Sequence, residues 1–223
     1  MAESFSQRLR RKADAVWEAQ HRHPFVRGIA DGTLSVEAFK FWVRQDYLFL
    51  IEYARVLGLA AAKSPDLETM TRFAALLDET LRVEMDLHRN YAAEFGISEQ
   101  ELETEEMAPA TRAYTDFLAR TAVLGDFGEL VAALTPCMWG FCEIGQRLAA
   151  GPPPADHRFR RWIEMYSSPE FAELAEWCRD LLDRVAGGLG PEEQRRLEAA
   201  FLTSSRHEYL FWEAAYRRQG WPV

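Results

Sequence analysis

The sequence is poor in cysteine, in long apolar runs and in positive charge, and each shortage removes a class of protein. Its three cysteines, Cys137, Cys142 and Cys178, cannot all pair, so at least one thiol stands outside any disulfide framework. No apolar stretch approaches the roughly 20 residues a membrane helix needs, and no secretory signal pattern is visible. A cytoplasmic protein with reduced thiols, away from any membrane, is the expectation. Against 35 acidic residues stand 26 Lys and Arg, a formal net charge of -9. That balance opposes nucleic acid as a partner, because phosphate neutralisation needs a clustered basic surface. The densest basic run, Arg8, Arg10, Arg11 and Lys12, reads as a solvated helix face. Period-two alternation is missing as well, as are internal repeats and low-complexity segments.

What remains is helical periodicity. With 223 residues, 48% hydrophobic and 27% charged, the chain can bury about 70% of its unfolded surface in a single domain, residues 1–223. Phe5, Leu9, Ala13 and Val16 predict a first amphipathic helix ending near His23-Pro24. Asp31-Gly32 makes a turn, Ser35 is an N-cap, and a long helix runs to about Lys63. After Ser64-Pro65-Asp66, the spacing of Phe73, Leu77, Leu81, Glu84, His88, Tyr91 and Phe95 predicts one helix ending at Gly96. Ser98 with Glu101 forms a capping box, and Pro109 opens the helix of Tyr114, Phe117 and Leu118. Gly151-Pro152-Pro153-Pro154 reads as a surface loop, Ser168-Pro169 starts a further helix, and Pro191 opens the last. The fold class is all-α, a bundle of seven or more helices.

Several polar side chains interrupt these apolar faces. Asp46 lies amid Trp42, Phe49, Leu50 and Tyr53, and Glu208 amid Phe201, Phe211 and Ala215. An ionised group taken out of water costs several kcal/mol unless it is paired. Either each carboxylate bridges helices, through Arg44, Arg206 or His207, or it holds a polar ligand. Cys137 follows Pro136 on the face Leu130, Leu134, Cys137, Phe141, where an inert small hydrophobe is the ordinary reading. Tyr114 and Tyr166 read singly as core tyrosines. Glu84 and His88, four apart, could reach one metal ion, with Glu143 as a further ligand of an oxidase, or form a hydrogen-bonded pair behind a site. Together Asp46, Glu208, Cys137 and the phenols could bind a basic heterocycle, move protons and attack an electrophilic carbon.

Four blocks, QDYLFLIEYARVLGLAAAKSP, ALTPCMWGFCEIG, WIEMYSS and SSRHEYLFWEAAYRRQGW, resemble the TenA family of thiaminase II or aminopyrimidine aminohydrolase enzymes, in order and over nearly the whole chain. The resemblance implies a haem-oxygenase-like helical bundle, a homotetramer, and no metal or organic cofactor. It implies hydrolysis of 4-amino-5-aminomethyl-2-methylpyrimidine to the hydroxymethylpyrimidine and ammonia, with thiamine as a further substrate. By resemblance, Cys137 would be the nucleophile, Asp46 would hold the aminopyrimidine with Tyr114 in support, and Glu208 would be acid and base. Phe49, Tyr53, Phe141 and Tyr166 would line the pocket, with Glu84 and His88 behind it. Phe141 stands where the family often has tyrosine, and Arg206-His207 where it often has an aromatic pair. A metal oxidase on the same scaffold and a non-catalytic pyrimidine-binding regulator are the alternative readings.

Overall fold

Twelve α-helices and one π-helical turn, with no strand, account for the regular structure of the described residues, 3–223, in the computed structural model. In chain order the helices are α1 (Phe5–Lys12), α2 (Asp14–His21), α3 (Pro24–Asp31), α4 (Val36–Lys63), α5 (Leu67–Glu79), α6 (Met85–Glu94), α7 (Glu99–Thr104), α8 (Pro109–Leu124), α9 (Phe127–Ala149), α10 (His157–Tyr166), α11 (Pro169–Gly187) and α12 (Pro191–Arg217); the π-helical turn, Thr80–Glu84, lies between α5 and α6. They group into two compact units. The first comprises the segment to Leu34 with Gly128–Trp212, and the second Ser35–Phe127 with Glu213–Val223.

In the first unit the expected single opening helix is broken. The Ala13 N–H bonds the carbonyls of Leu9 and Arg11 and closes α1, so the amphipathic run becomes two short helices. The stop at His23-Pro24 holds, yet it also starts a helix that periodicity did not show: His23 Nδ1 accepts the Phe25 N–H at 3.1 Å, and Pro24 supplies a first residue that needs no donor. Gly32, at φ 69°, ends that helix in the left-handed region. The proline loop is exposed at Pro152 and Pro153, as expected.

Arg10 is not solvated. Its side chain is only 15% exposed, lies over the Trp17 ring at 4.6 Å, and donates to Glu143 from Nε at 3.1 Å and Nη2 at 2.8 Å. The other members of that run bond Gln194, Glu3 and Glu198. Burial would raise the Glu143 pKa, but hydrogen bonds from His21 and Arg10 outweigh it and bring the carboxyl to about 2. A depressed carboxyl stabilises the fold above its unfolded value near 4.5, and that contribution disappears as pH falls toward 2. Glu143→Gln should therefore cost on the order of 3 kcal/mol at neutral pH by denaturant titration. The difference from the parent should close between these two pH values.

In the second unit, α4 starts and stops as the sequence requires, with Ser35 Oγ accepting the Ala38 N–H. The expected helix through Phe95 is not continuous, because the π-helical turn shifts the register by one residue midway. Leu81, placed on the core face by spacing, is 45% exposed as a result. Met85 is buried instead, while His88 and Tyr91 are buried as expected.

Candidate active site

In the second unit, α4 presents Trp42, Asp46, Phe49 and Tyr53 along one stripe, all buried. Asp46 finds its partner on α6: His88 Nε2 lies 2.7 Å from Asp46 Oδ2, an ion-pair distance although the N–H is not aimed squarely at the oxygen. His88 Nδ1 donates to the Glu84 carbonyl at 2.9 Å. The ring is wholly buried and packs against Trp42 at 5.1 Å. Burial opposes charge on His88, but the Asp46 carboxylate and the Glu84 carbonyl raise its pKa above the ordinary value. Asp46 thus bridges two helices as one reading of the sequence has it, but through His88, while the expected partner Arg44 pairs with Glu105. Glu84 and His88 are hydrogen-bonded as expected, with Glu84 contributing its backbone carbonyl.

Tyr114 is brought to this stripe by α8. Gln45, next to Asp46, accepts the Ala108 N–H at 2.8 Å and donates to the Glu106 carbonyl at 3.0 Å, which anchors the loop leading into α8. Tyr114 then meets Phe49 at 5.1 Å between ring centres, and Phe49 stacks on Tyr53 at 5.6 Å. An open groove of about 490 Å³ lies on the other side of α4, between Tyr47, Ile51, Leu77 and Met85. None of the expected site residues lines it.

The first unit carries the other expected residues. Phe141 sits 4.8 Å from Tyr166 and 4.9 Å from Trp212, and Trp162 packs on Tyr166 at 4.7 Å. Tyr166 reaches this cluster because Gly145 lets α10 touch α9: a Cβ there would lie 2.5 Å from the Tyr166 carbonyl carbon. Gly145→Ala should destabilise the protein by about 2 kcal/mol, the overpacking cost exceeding the helix-propensity gain, and displace Tyr166. A thermal melt and near-ultraviolet circular dichroism would register both changes.

Contacts along α9 and α12 advance together. Glu129 meets Arg196 at 4.0 Å, Ser204 Oγ donates to the Ala133 carbonyl at 2.7 Å, and Phe141 packs on Trp212. The two helices are therefore parallel. Ala133, Cys137 and Phe141 are spaced four apart, and so are Ser204, Glu208 and Trp212. On its own helix, each of Cys137 and Glu208 therefore lies one turn beyond the serine bond and one turn before the aromatic contact. Glu208 is 2% exposed, while Cys137 is less buried than its neighbours Pro136 and Met138. Cys142 is buried, and burial pushes its thiol pKa up, the opposite of what a nucleophile needs.

No metal reading gains support from these contacts. Both His88 nitrogens already face oxygens, and Glu143 is held by Arg10, His21 and Arg147. Among the described residues, Glu18, His21 and Glu143 have ligand spacing. A cation there would have to displace the Arg10 and Arg147 guanidinium groups.

The sequence profile of the TENA/THI-4/PQQC family matches residues 10–218, which includes every residue named above as a site candidate. The chain belongs to the TENA/THI-4/PQQC family. Among TenA relatives, the aminopyrimidine aminohydrolase of Halalkalibacterium halodurans is 48% identical over 219 residues, covering 98% of each chain. A solved structure from a Silicibacter species, described as a TenA family transcription regulator, superposes with a TM-score of 0.86 at 32% identity, covering 93% of this chain and 94% of that one. A haem-oxygenase-like domain from Shewanella denitrificans superposes at 0.72 with 14% identity, covering 95% of this chain and 91% of that one, which shows the shared fold. The TenA chain thus has the all-α, haem-oxygenase-like architecture expected of it. The described residues include no helix long and apolar enough to cross a membrane.

Sequence reasoning missed the Asp46–His88 pair, although it singled out both residues. Two polar groups interrupting separate apolar faces, one acidic and one basic, are each other's most economical partner. It also left Trp162 and Trp212 without a role beside Phe141.

Proposed function

We propose that the chain, acting as one functional domain over residues 1–223, is an aminopyrimidine aminohydrolase of thiamine salvage, converting 4-amino-5-aminomethyl-2-methylpyrimidine and water to the hydroxymethylpyrimidine and ammonia. What supports this reading is that Cys137 and Glu208 each lie between the Ser204–Ala133 bond and the Phe141–Trp212 contact that join α9 and α12, in a chain 48% identical to a relative of that name.

Ammonia is a poor leaving group, so direct displacement at the exocyclic methylene is slow. Addition of the Cys137 thiolate to a ring carbon forms a carbon–sulfur bond and drives ring electrons toward the methylene, whose bond to nitrogen breaks. Glu208 gives the departing amine its proton, then takes one from water as the water oxygen bonds the methylene carbon. The sulfur leaves with its electron pair, and the aromatic ring is restored. Asp46 holds the aminopyrimidine through its amine and ring nitrogen, and His88 fixes the rotamer of that carboxylate. Tyr114 supports the same end of the ring, while Phe49, Tyr53, Phe141 and Tyr166 provide flat apolar surface. Thiamine cleavage follows the same course, except that the thiazolium ring takes the bonding electrons and departs as neutral thiazole, with no proton needed from Glu208. No cofactor enters these steps, and the working form is a cytoplasmic homotetramer.

Purified protein supplied with the aminopyrimidine should release ammonia and hydroxymethylpyrimidine in equal amounts, and Glu208→Gln should lower kcat by about a hundredfold or more. Tight binding with no ammonia would instead establish a regulator. A sedimentation measurement giving a monomer would refute the tetramer.

A further inference from the structure

We propose that Ser204 is a positioning residue, whose hydrogen bond to the Ala133 carbonyl, in the turn of α9 that holds Pro136, sets the register in which Glu208 faces Cys137. The inference rests on the roles proposed for Cys137 and Glu208. Pro136 has no N–H, so the Ala132 carbonyl loses its donor one turn along the helix. Side-chain hydroxyls serve the carbonyls on either side of it. Thr135 Oγ1 donates to the Val131 carbonyl at 2.8 Å, and Ser204 Oγ reaches across from α12 to the Ala133 carbonyl at 2.7 Å.

Ser204 and Ala133 are fully buried, so water cannot stand in for this bond. Packing alone would be met as well by alanine, whose methyl can slide along α9; a hydroxyl bonded to one carbonyl cannot. The same turn of α12 is also gripped from α2. Trp17 Nε1–H donates to Ser205 Oγ at 3.0 Å, and Gln20 Nε2 donates to the Ser205 carbonyl at 3.1 Å. These bonds hold the rotation of α12, and Ser204 ties its rise to that of α9. Glu208 and Cys137 lie one turn further along their respective helices. A slip of a single residue would move Glu208 by about 1.5 Å along the axis and by about 100° around it. Displacements of about 1 Å can cost a hundredfold in rate.

The test separates positioning from general stability. Ser204→Ala should lower kcat by about tenfold to a hundredfold with KM within about threefold, and Ser204→Thr, which keeps the hydroxyl, should return kcat to within about threefold of the parent. The second readout needs no turnover. Alkylation of Cys137 by iodoacetamide, resolved by peptide mass spectrometry at one fixed pH, is followed in the parent, Glu208→Gln, Ser204→Ala and the double variant. Glu208→Gln should change the Cys137 rate in the parent, and by no more than about half as much, on a logarithmic scale, once Ser204→Ala is present. An equal change in both backgrounds, or none in the parent, overturns the proposal even where ammonia release persists. Coupling that depends on Ser204 in a protein releasing no ammonia would sustain the positioning role and refute the hydrolase reading.

Discussion

Cys137→Ala should abolish ammonia release from the aminopyrimidine almost completely, with kcat reduced by about a thousandfold or more, while the melting temperature moves by only a few degrees. The size of the effect follows from the chemistry: without a thiolate to add to the ring, expulsion of the amine has no electron source. The small change in stability follows from the position of Cys137, which is less deeply buried than its neighbours on α9. Cys142→Ala and Cys178→Ala provide the contrast. Both thiols lie deeper, at 5% and 6% exposure, so their loss should cost about 1 kcal/mol of stability and leave kcat near the parent value. Steady-state kinetics on the three variants settles the roles. Full activity in Cys137→Ala would refute covalent catalysis by this residue.

The second large effect is expected at Asp46. Asp46→Ala removes the carboxylate that faces His88 and leaves an uncompensated imidazole at zero exposure, which should cost on the order of 3 kcal/mol in a denaturant titration. The pH dependence has a definite sign. Burial works against charge on His88, but its neighbours raise the pKa above 6.5. The pair therefore contributes fully below the unfolded value of 6.5, and its contribution fades as pH rises through the folded value. The stability gap between parent and Asp46→Asn should narrow as pH rises above 6.5. A gap that widened over the same range would contradict the pairing. Asp46→Asn also weakens the hold on a cationic ring, so KM for the aminopyrimidine should rise by about tenfold or more.

The helices with strong local punctuation were legible in the sequence. Ser35, Ser98 with Glu101, Pro109 and Ser168 each fix a helix start by satisfying or removing an orphan N–H, and each start falls where the residue types put it. The breaks without punctuation were not legible. Ala13 is a good helix former, yet α1 ends there, and Arg10 and Trp17 are drawn to partners on α9 and α12 that no local pattern reveals. The π-helical turn is hidden for the same reason, since Leu77, Leu81 and Glu84 keep a helical spacing that one extra residue in the turn defeats.

For the candidate site, the sequence identified residues out of place but not their relations. Asp46, His88, Cys137 and Glu208 are each conspicuous because each interrupts an apolar stripe. That Asp46 meets His88, or that Ser204 reaches the Ala133 carbonyl, depends on register between helices far apart in the chain. That register is a property of packed helices and leaves no local pattern in the sequence.

Turnover of the aminopyrimidine in isotopically labelled water, with ammonia and pyrimidine product counted in the same sample, bears on all of this at once. Hydrolysis by Cys137 and Glu208 requires one ammonia per hydroxymethylpyrimidine and one labelled oxygen in the new hydroxyl group. Bound pyrimidine with neither ammonia nor label in the product would contradict it.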